Sequence, residues 1–404
     1  MRIGNKALIK ELNQSHVFTT IRSHQSISRT QISKVLNLGL STVTYITEEL
    51  VEAGLVVENG TAHSTGGRKA TLLTFNEDYG YAFGVKIEED QIIVACTNLN
   101  AKILRKETFT YEKETEPSKL LERIILQIKQ IIQEMNLPEK KLIGIGMASS
   151  GLINQKQGII IRSTLLGWSN ENIREQMCEA FTVPIFIDNN VNAYAKAERQ
   201  FGYGQGLSDF LCISIGAGVG ASLFTNGEVN AGHHGGAGEV GHMVIKQNGY
   251  PCHCGQKGCL EMHASERFLE EEGRQTKHLY PDSPLHHTGF TFEQVASAAQ
   301  SGDALAIGLF EELGKNLGIG VLNCINLLNP SAVIFIGEGL VAQEFFMTYT
   351  IDKASDNFFS KAGCEVGFQV SKLGEDAWVQ GAALQAIDYW LEHPINEESR
   401  LLLS

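Results

Sequence analysis

Six residues of this chain stand in a pattern that can hold a metal ion and direct polar groups around it. The sequence reads Gly-Glu239-Val-Gly-His242 and then, after a short gap, Cys252-His253-Cys254-Gly-Gln-Lys-Gly-Cys259-Leu-Glu261. Three thiols and an imidazole within one loop are the donor set of a closed tetrahedral zinc site. His233, His234, His253 and His263 are further imidazoles that could compete for the same ion. A disulfide between Cys252 and Cys254 is disfavoured, because so short a loop strains the bond geometry. Glu239 and Glu261 bracket the ligands, and a metal-stiffened loop can aim such carboxylates at hydroxyl groups.

The rest of the chain must position that loop. With 404 residues it exceeds one ordinary core, and two or three domains are expected. No run of about 18 apolar residues exists, so no membrane span is expected. The first residues lack the apolar stretch of a signal peptide, which points to the cytoplasm. Cys96, Cys178, Cys212, Cys324 and Cys364 are scattered singly and read as buried thiols. The net charge of −13 is uneven: residues 1–75 carry +3 and the remainder −16. A mildly basic head on an acidic body calls for a local explanation.

Residues 1–78 supply it. Apolar spacing predicts a helix from Asn5 to about Ser23 and a second from Ser28, where Ser28-Arg29-Thr-Gln31 offers a capping box. After Asn37-Leu-Gly39, Ser41 is placed to cap a third helix with Val43, Ile46 and Leu50 on one face. Two strands then flank a turn that ends in Gly66-Gly67-Arg68-Lys69. This is the outline of a winged helix-turn-helix. Ser41, Thr42, Thr44 and Tyr45 would meet bases and phosphates of double-stranded DNA, and Arg29, Arg68 and Lys69 its backbone or minor groove.

Residues 79–195 and 196–404 each read as strands followed by helix, strand and helix, predicting two similar α/β lobes with a cleft between them. The last helix, Asp376–Leu391, is expected to return to the first lobe. A glycine-rich run, Gly216-Ala-Gly218-Val-Gly220, follows the first strand of the second lobe.

The Gly-Glu-x-Gly-His and Cys-x-Cys-Gly-x-x-Gly-Cys-Leu-Glu blocks resemble the signature of the ROK family (repressors, open reading frames, sugar kinases). Leu373-Gly-Glu-Asp-Ala377 extends the likeness, and the head with Gly-Gly-Arg at its wing is similar to that family's sugar-responsive repressors. The resemblance implies a winged helix-turn-helix followed by a two-lobed α/β fold of the actin-like, ribonuclease-H-like ATPase type found in ROK sugar kinases. It implies zinc on His242, Cys252, Cys254 and Cys259, and a monosaccharide in the cleft touched by Glu239, His242 and Glu261.

The likeness to the kinases breaks at two places. Their base is the third residue of an acidic-Asn-Asp-x-Asn motif; here Asp188-Asn189-Asn190-Val191-Asn192 puts Asn190 there. A carboxamide cannot take the proton, a defect worth about 10²–10⁴ in rate. Their first phosphate loop, Asp-x-Gly-Gly-Thr, is replaced by Val85-Lys-Ile-Glu-Glu-Asp90, which would repel phosphate. Asn189 and Asn190 remain able to bind a sugar hydroxyl, and Thr164 stands where the family usually has an asparagine before Gly-Trp. The expected function is a repressor that binds a palindromic operator as a homodimer, or as a tetramer, and responds to a xylose- or glucose-type effector without catalysis. The competing expectations are an ATP-dependent sugar kinase with an accessory head, and a DNA-binding protein with no effector.

Overall fold

A computed structural model of the protein describes residues 6–61 and 70–392. The chain forms two compact units. One holds the residues up to Gly151, Gln155–Asp188 and the chain from Val379 on; the other holds Leu152–Asn154 and Asn189–Trp378.

The first unit begins with α1 (Lys6–Arg22), a two-residue strand β1 (Ile27–Ser28), α2 (Arg29–Leu36), α3 (Leu40–Glu52), β2 (Val56–Thr61) and β3 (Thr71–Phe75). The strands lie in the order β1-β3-β2. Val17, Phe18, Ile21, Ile32, Val43, Ile46, Leu50 and Leu73 are buried, with Phe18 meeting Phe75 edge-on at 5.5 Å. The capping box is complete: the Ser28 hydroxyl accepts from the Gln31 N–H, and the Gln31 side chain accepts from the Ser28 N–H. Asn37 ends α2 in the left-handed region at φ 52°, a conformation asparagine tolerates. The cap expected at Ser41 is corrected. α3 starts two residues earlier, at Leu40, Gly39 is its N-cap, and no side chain caps it, so Ser41 lies within the first turn. Arg68 and Lys69 lie outside the described residues.

Next come β4 (Tyr81–Ile87), β5 (Gln91–Asn98), β6 (Ile103–Thr110), α4 (Pro117–Glu134), β7 (Leu142–Ser149), β8 (Leu152–Asn154), β9 (Ile159–Ser163), β10 (Trp168–Asn172), α5 (Ile173–Cys178) and β11 (Ile185–Asn189). A five-stranded sheet runs β11-β7-β4-β5-β6. β4 is antiparallel to β5 and parallel to β7, and α4 makes the crossover that a parallel pair requires. Proline opens α4, and its Leu120, Ile124, Ile128 and Ile131 face the core. β4 extends through Ile87, which places Lys86 inside it, buried and paired with Glu88. The run expected at a phosphate loop is therefore strand end and tight turn, closed by the Glu88 N–H on the Gln91 carbonyl.

The second unit contains α6 (Asn190–Phe201), β12 (Phe210–Ile215), β13 (Val219–Thr225), β14 (Glu228–Val229), α7 (Glu261–Ala264), α8 (Glu266–Thr276), α9 (Phe292–Gln300), α10 (Ala304–Leu328), β15 (Ala332–Ile336), α11 (Gln343–Ser355), α12 (Phe358–Lys361) and β16 (Gly367–Val370). Its sheet order is β14-β13-β12-β15-β16, with β12 antiparallel to β13 and parallel to β15. Asp303 caps the long central helix α10 through the Ala306 N–H. The last helix, α13 (Asp376–Glu392), lies on the first unit's strands at two glycines. A β-carbon added at Gly84 would sit 1.9 Å from the Val379 carbonyl oxygen, and one at Gly146 would sit 1.8 Å from that of Ala382. Backbone thus meets backbone, which no larger residue permits.

Cys96, Cys212 and Cys324 are buried, and burial pushes the Cys96 thiol up to about 12 and Cys324 up to about 11. Cys178 and Cys364 correct the reading of all five as core thiols: both are exposed, one at the end of α5 and the other in the loop before β16. Apolar sequence neighbours do not fix which way a lone side chain points.

Candidate metal centre and polar site

The loop before α7 is tied down by its own backbone before any metal is considered. Single-residue bridges join Val244 to Cys259 and Pro251 to Lys257. The Cys252 N–H donates to the Gln256 carbonyl and the Gly258 N–H to that of Tyr250, each at 2.8 Å. Gly258, at φ 74°, takes a left-handed turn against the Lys246 carbonyl. On the other side, Gly238 seats the Glu239 turn on β13, where the Ala221 N–H donates to the Gly238 carbonyl at 2.9 Å.

These constraints bring His242, Cys252, Cys254 and Cys259 together, with one donor atom of each within 4.8 Å of the others. The Sγ atoms of Cys254 and Cys259 are 3.6 Å apart, and the Cys252 Sγ is 3.6 Å from the His242 Nδ1. Zinc–sulfur bonds of about 2.3 Å place tetrahedral corners about 3.5–3.8 Å apart, so the donors fit a metal of that size. They are far too separated for a disulfide. The opposite ring nitrogen, His242 Nε2, lies 3.8 Å from a Glu239 carboxylate oxygen. A carboxylate behind a ligand histidine fixes its tautomer and orientation.

Glu261 is buried and opens α7. Its Oε1 stands 3.2 Å from the His253 Nδ1 and 4.0 Å from the Arg267 Nε, ion-pair distances at which neither group completes a hydrogen bond to that oxygen. A buried carboxylate oxygen without a donor carries a desolvation cost that a ligand hydroxyl would relieve. Desolvation, aided by the charge of Glu261 and opposed by His242, pushes the half-exposed Glu239 above the ordinary carboxylate range.

Of the competing imidazoles, His253 forms a second group with Cys252 and Glu261, its ligand atom also within 4.8 Å of theirs. His233 and His234 meet one another edge-on at 4.3 Å, and His263 is buried against Tyr250. Neither His233, His234 nor His263 belongs to a metal-capable group among the described residues. Asn189 caps α6, its Oδ1 accepting from the Val191 N–H at 2.8 Å, and the Asn190 Oδ1 accepts from the same N–H at 2.9 Å. α6 packs on β13, the strand that carries the Glu239 turn, and Val191 there faces Gly220. Thr164 belongs to the first unit, exposed in the turn after β9. Sequence reasoning treated His253 only as a rival ligand and missed Arg267. The position of His253 inside the cysteine block was a usable signal, whereas nothing local marks Arg267.

On the head, Ser41, Thr42 and Tyr45 are exposed on α3, while Thr44 is half-buried with its hydroxyl on the Leu40 carbonyl. The Lys10 ammonium reaches the Tyr45 hydroxyl at 3.3 Å and Glu49 at 2.7 Å. Arg29 is engaged inside the head, donating to the Thr47 hydroxyl and to Glu58, both at 2.8 Å.

Comparison with known proteins gives a consistent picture. The model of the ROK family matches residues 82–388. A xylose repressor of Caldicellulosiruptor bescii is 31% identical over 399 residues, covering 97% of this chain and 99% of that protein. The crystal structure of a ROK family transcriptional regulator, a homologue of the Escherichia coli MLC protein, is 28% identical with a TM-score of 0.83, covering 95% of this chain and 98% of that one. A ROK family glucokinase from Streptomyces griseus, solved with glucose and AMPPNP, is 23% identical with a TM-score of 0.64. It covers 76% of this chain and 100% of its own, and it shares the actin-like, kinase-type fold of the lobes.

Proposed function

Because the chain belongs to the ROK family, we propose that it is a sugar-responsive DNA-binding transcriptional repressor without kinase activity. Helices α1–α3 and the β2–β3 hairpin act as a winged helix-turn-helix. Ser41, Thr42, Thr44 and Tyr45 read DNA, with Arg68 and Lys69 at the wing. Arg29 contributes by holding α2, α3 and β2 together through Thr47 and Glu58. The protein acts in the cytoplasm as a dimer on a palindromic operator.

The observation that carries the sugar reading is the buried Glu261 oxygen without a hydrogen-bond donor, beside Glu239 and the metal-capable cluster. Glu239, His242 and Glu261 bind hydroxyl groups, and Asn189, Asn190 and Thr164 complete the proposed set. Xylose- and glucose-type monosaccharides are the proposed effectors, and the name of the xylose repressor of Caldicellulosiruptor bescii supports the first of them. His242, Cys252, Cys254 and Cys259 would hold zinc. With four protein ligands the ion supplies rigidity and leaves no open position for chemistry. Asn190 cannot serve as a base, and its carboxamide already accepts from the Val191 N–H.

Thermal-shift and calorimetric titration with a monosaccharide panel, run beside a coupled ATP assay, tests this reading. A saturable neutral sugar with no turnover is expected. Sugar-dependent ATP turnover would establish the kinase alternative instead. Specific DNA binding with a flat response to every sugar would leave a protein without an effector.

A further inference from the structure

The glycine-rich turn Gly216–Gly220 has the sequence of a phosphate cradle, and the kinase comparison leaves its role open. β12 and β15 run parallel, so their carboxyl ends, where open α/β sheets hold ligands, lead side by side into Gly216 and into Gly337-Glu338. Gly337, at φ 103°, turns the chain sharply there; a β-carbon on it would lie 2.4 Å from the Ile215 carbonyl oxygen. That turn delivers Glu338 onto the glycine loop. A β-carbon on Gly216 would stand 2.3 Å from the Glu338 Oε2, and one on Gly218 would stand 2.6 Å from the Glu261 Oε2. The space the two glycines leave open is filled by two carboxylates.

One donor of the turn is spent within it. The Gly216 N–H donates to the Gly218 carbonyl at 3.0 Å, closing the hairpin on itself. The neighbouring N-terminus of α8 is used internally: the Glu266 N–H bonds to the Gly216 carbonyl, and the Ser265 hydroxyl accepts from the Arg267 N–H. Phosphate binding needs outward N–H groups and no facing negative charge, and this turn presents two carboxylates where an anion would sit.

We infer that the Gly216–Gly220 turn is closed to phosphate and that Glu338 is a selectivity residue, shutting out nucleotides and phosphorylated sugars and restricting the protein to an uncharged effector. The exclusion of anions stands on the geometry of the turn alone. The uncharged effector rests on the proposed sugar reading. A like charge within a few ångströms of a bound anion weakens it by about tenfold or more.

Isothermal titration of the full-length protein with sodium tripolyphosphate, ADP, neutral monosaccharides and their phosphate esters tests this, using wild type, Glu338→Gln and, as a control of equal charge change at an exposed position of α11, Glu344→Gln. Wild type and Glu344→Gln should show no saturable binding of tripolyphosphate or ADP at millimolar concentration, and Glu338→Gln should bind tripolyphosphate about tenfold tighter or more. Any monosaccharide that binds should outcompete its phosphate ester by a similar factor. The inference is overturned if wild type binds either anion as tightly as Glu338→Gln does, or if a sugar phosphate binds wild type better than the free sugar. Should Glu338→Gln fail to fold in a melting experiment, the wild-type titrations decide alone. If anions are excluded as described and no sugar binds, the sugar reading fails while the closed turn stands.

Discussion

Glu261 joins three features of the site: it follows the last cysteine, faces His253 and Arg267 with one oxygen, and lies against Gly218 with the other. Because the first oxygen is buried without a donor, Glu261→Gln should weaken sugar binding by about 10- to 100-fold, the range of a hydrogen bond to a charged group. Calorimetry on the variant reads this directly, and unchanged affinity would remove Glu261 from the site. His263 makes a different prediction. Burial, with a contribution from Lys246, lowers its pKa from 6.5 to about 4, and neither ring nitrogen has a hydrogen-bond partner. The fold therefore favours the neutral ring. Its contribution is complete above about pH 6.5 and is lost as the pH falls toward 4, because the unfolded chain takes up the proton first. His263→Phe should flatten the fall of melting temperature over that window, by about 1–3 kcal/mol of stability. Parallel curves for the two proteins would contradict it.

At the scale of elements, the candidate metal loop is a backbone-fixed hairpin whose side chains converge, so Cys254→Ser should remove a proposed ligand without unmaking the hairpin. Elemental analysis should give about one zinc per wild-type chain and much less for the variant, with a stability loss of several kcal/mol, in line with structural zinc sites. Equal stability after chelation would argue against a structural ion. Much of this was legible beforehand, because contiguous ligands reveal themselves by spacing, and the capping box at Ser28 marked the start of α2. What the chain concealed depends on distant partners. Nothing in the neighbourhood of Gly84 and Gly146 marks them as the seat of α13, and nothing near Glu338 announces that it meets Gly216. Arg29 read as a DNA contact because sequence does not reveal Thr47 and Glu58 as its partners. The short strands β8, β9 and β10 passed unread, since three to five half-buried residues carry too little alternation to register.

At the scale of the molecule, the proposed DNA-reading head, sugar site and metal loop make sense as one device only if sugar and DNA favour different states. An effector shifts an equilibrium only by its unequal affinity for those states. Within the first unit two contacts reach α13: Arg22 of the head, largely buried, lies 3.6 Å from Asp388, and Tyr79, the residue that follows the head, lies 5.6 Å from Trp390 between ring centres. No helix among the described residues is long and apolar enough to cross a membrane. The most direct measurement is fluorescence anisotropy of the protein on genomic DNA fragments, at about 0.15 M salt, titrated with the sugar panel. The account predicts a specific complex on a two-fold symmetric site whose affinity changes by about tenfold or more with one uncharged monosaccharide. Binding no tighter than to bulk DNA, or a specific complex indifferent to every sugar, would contradict it.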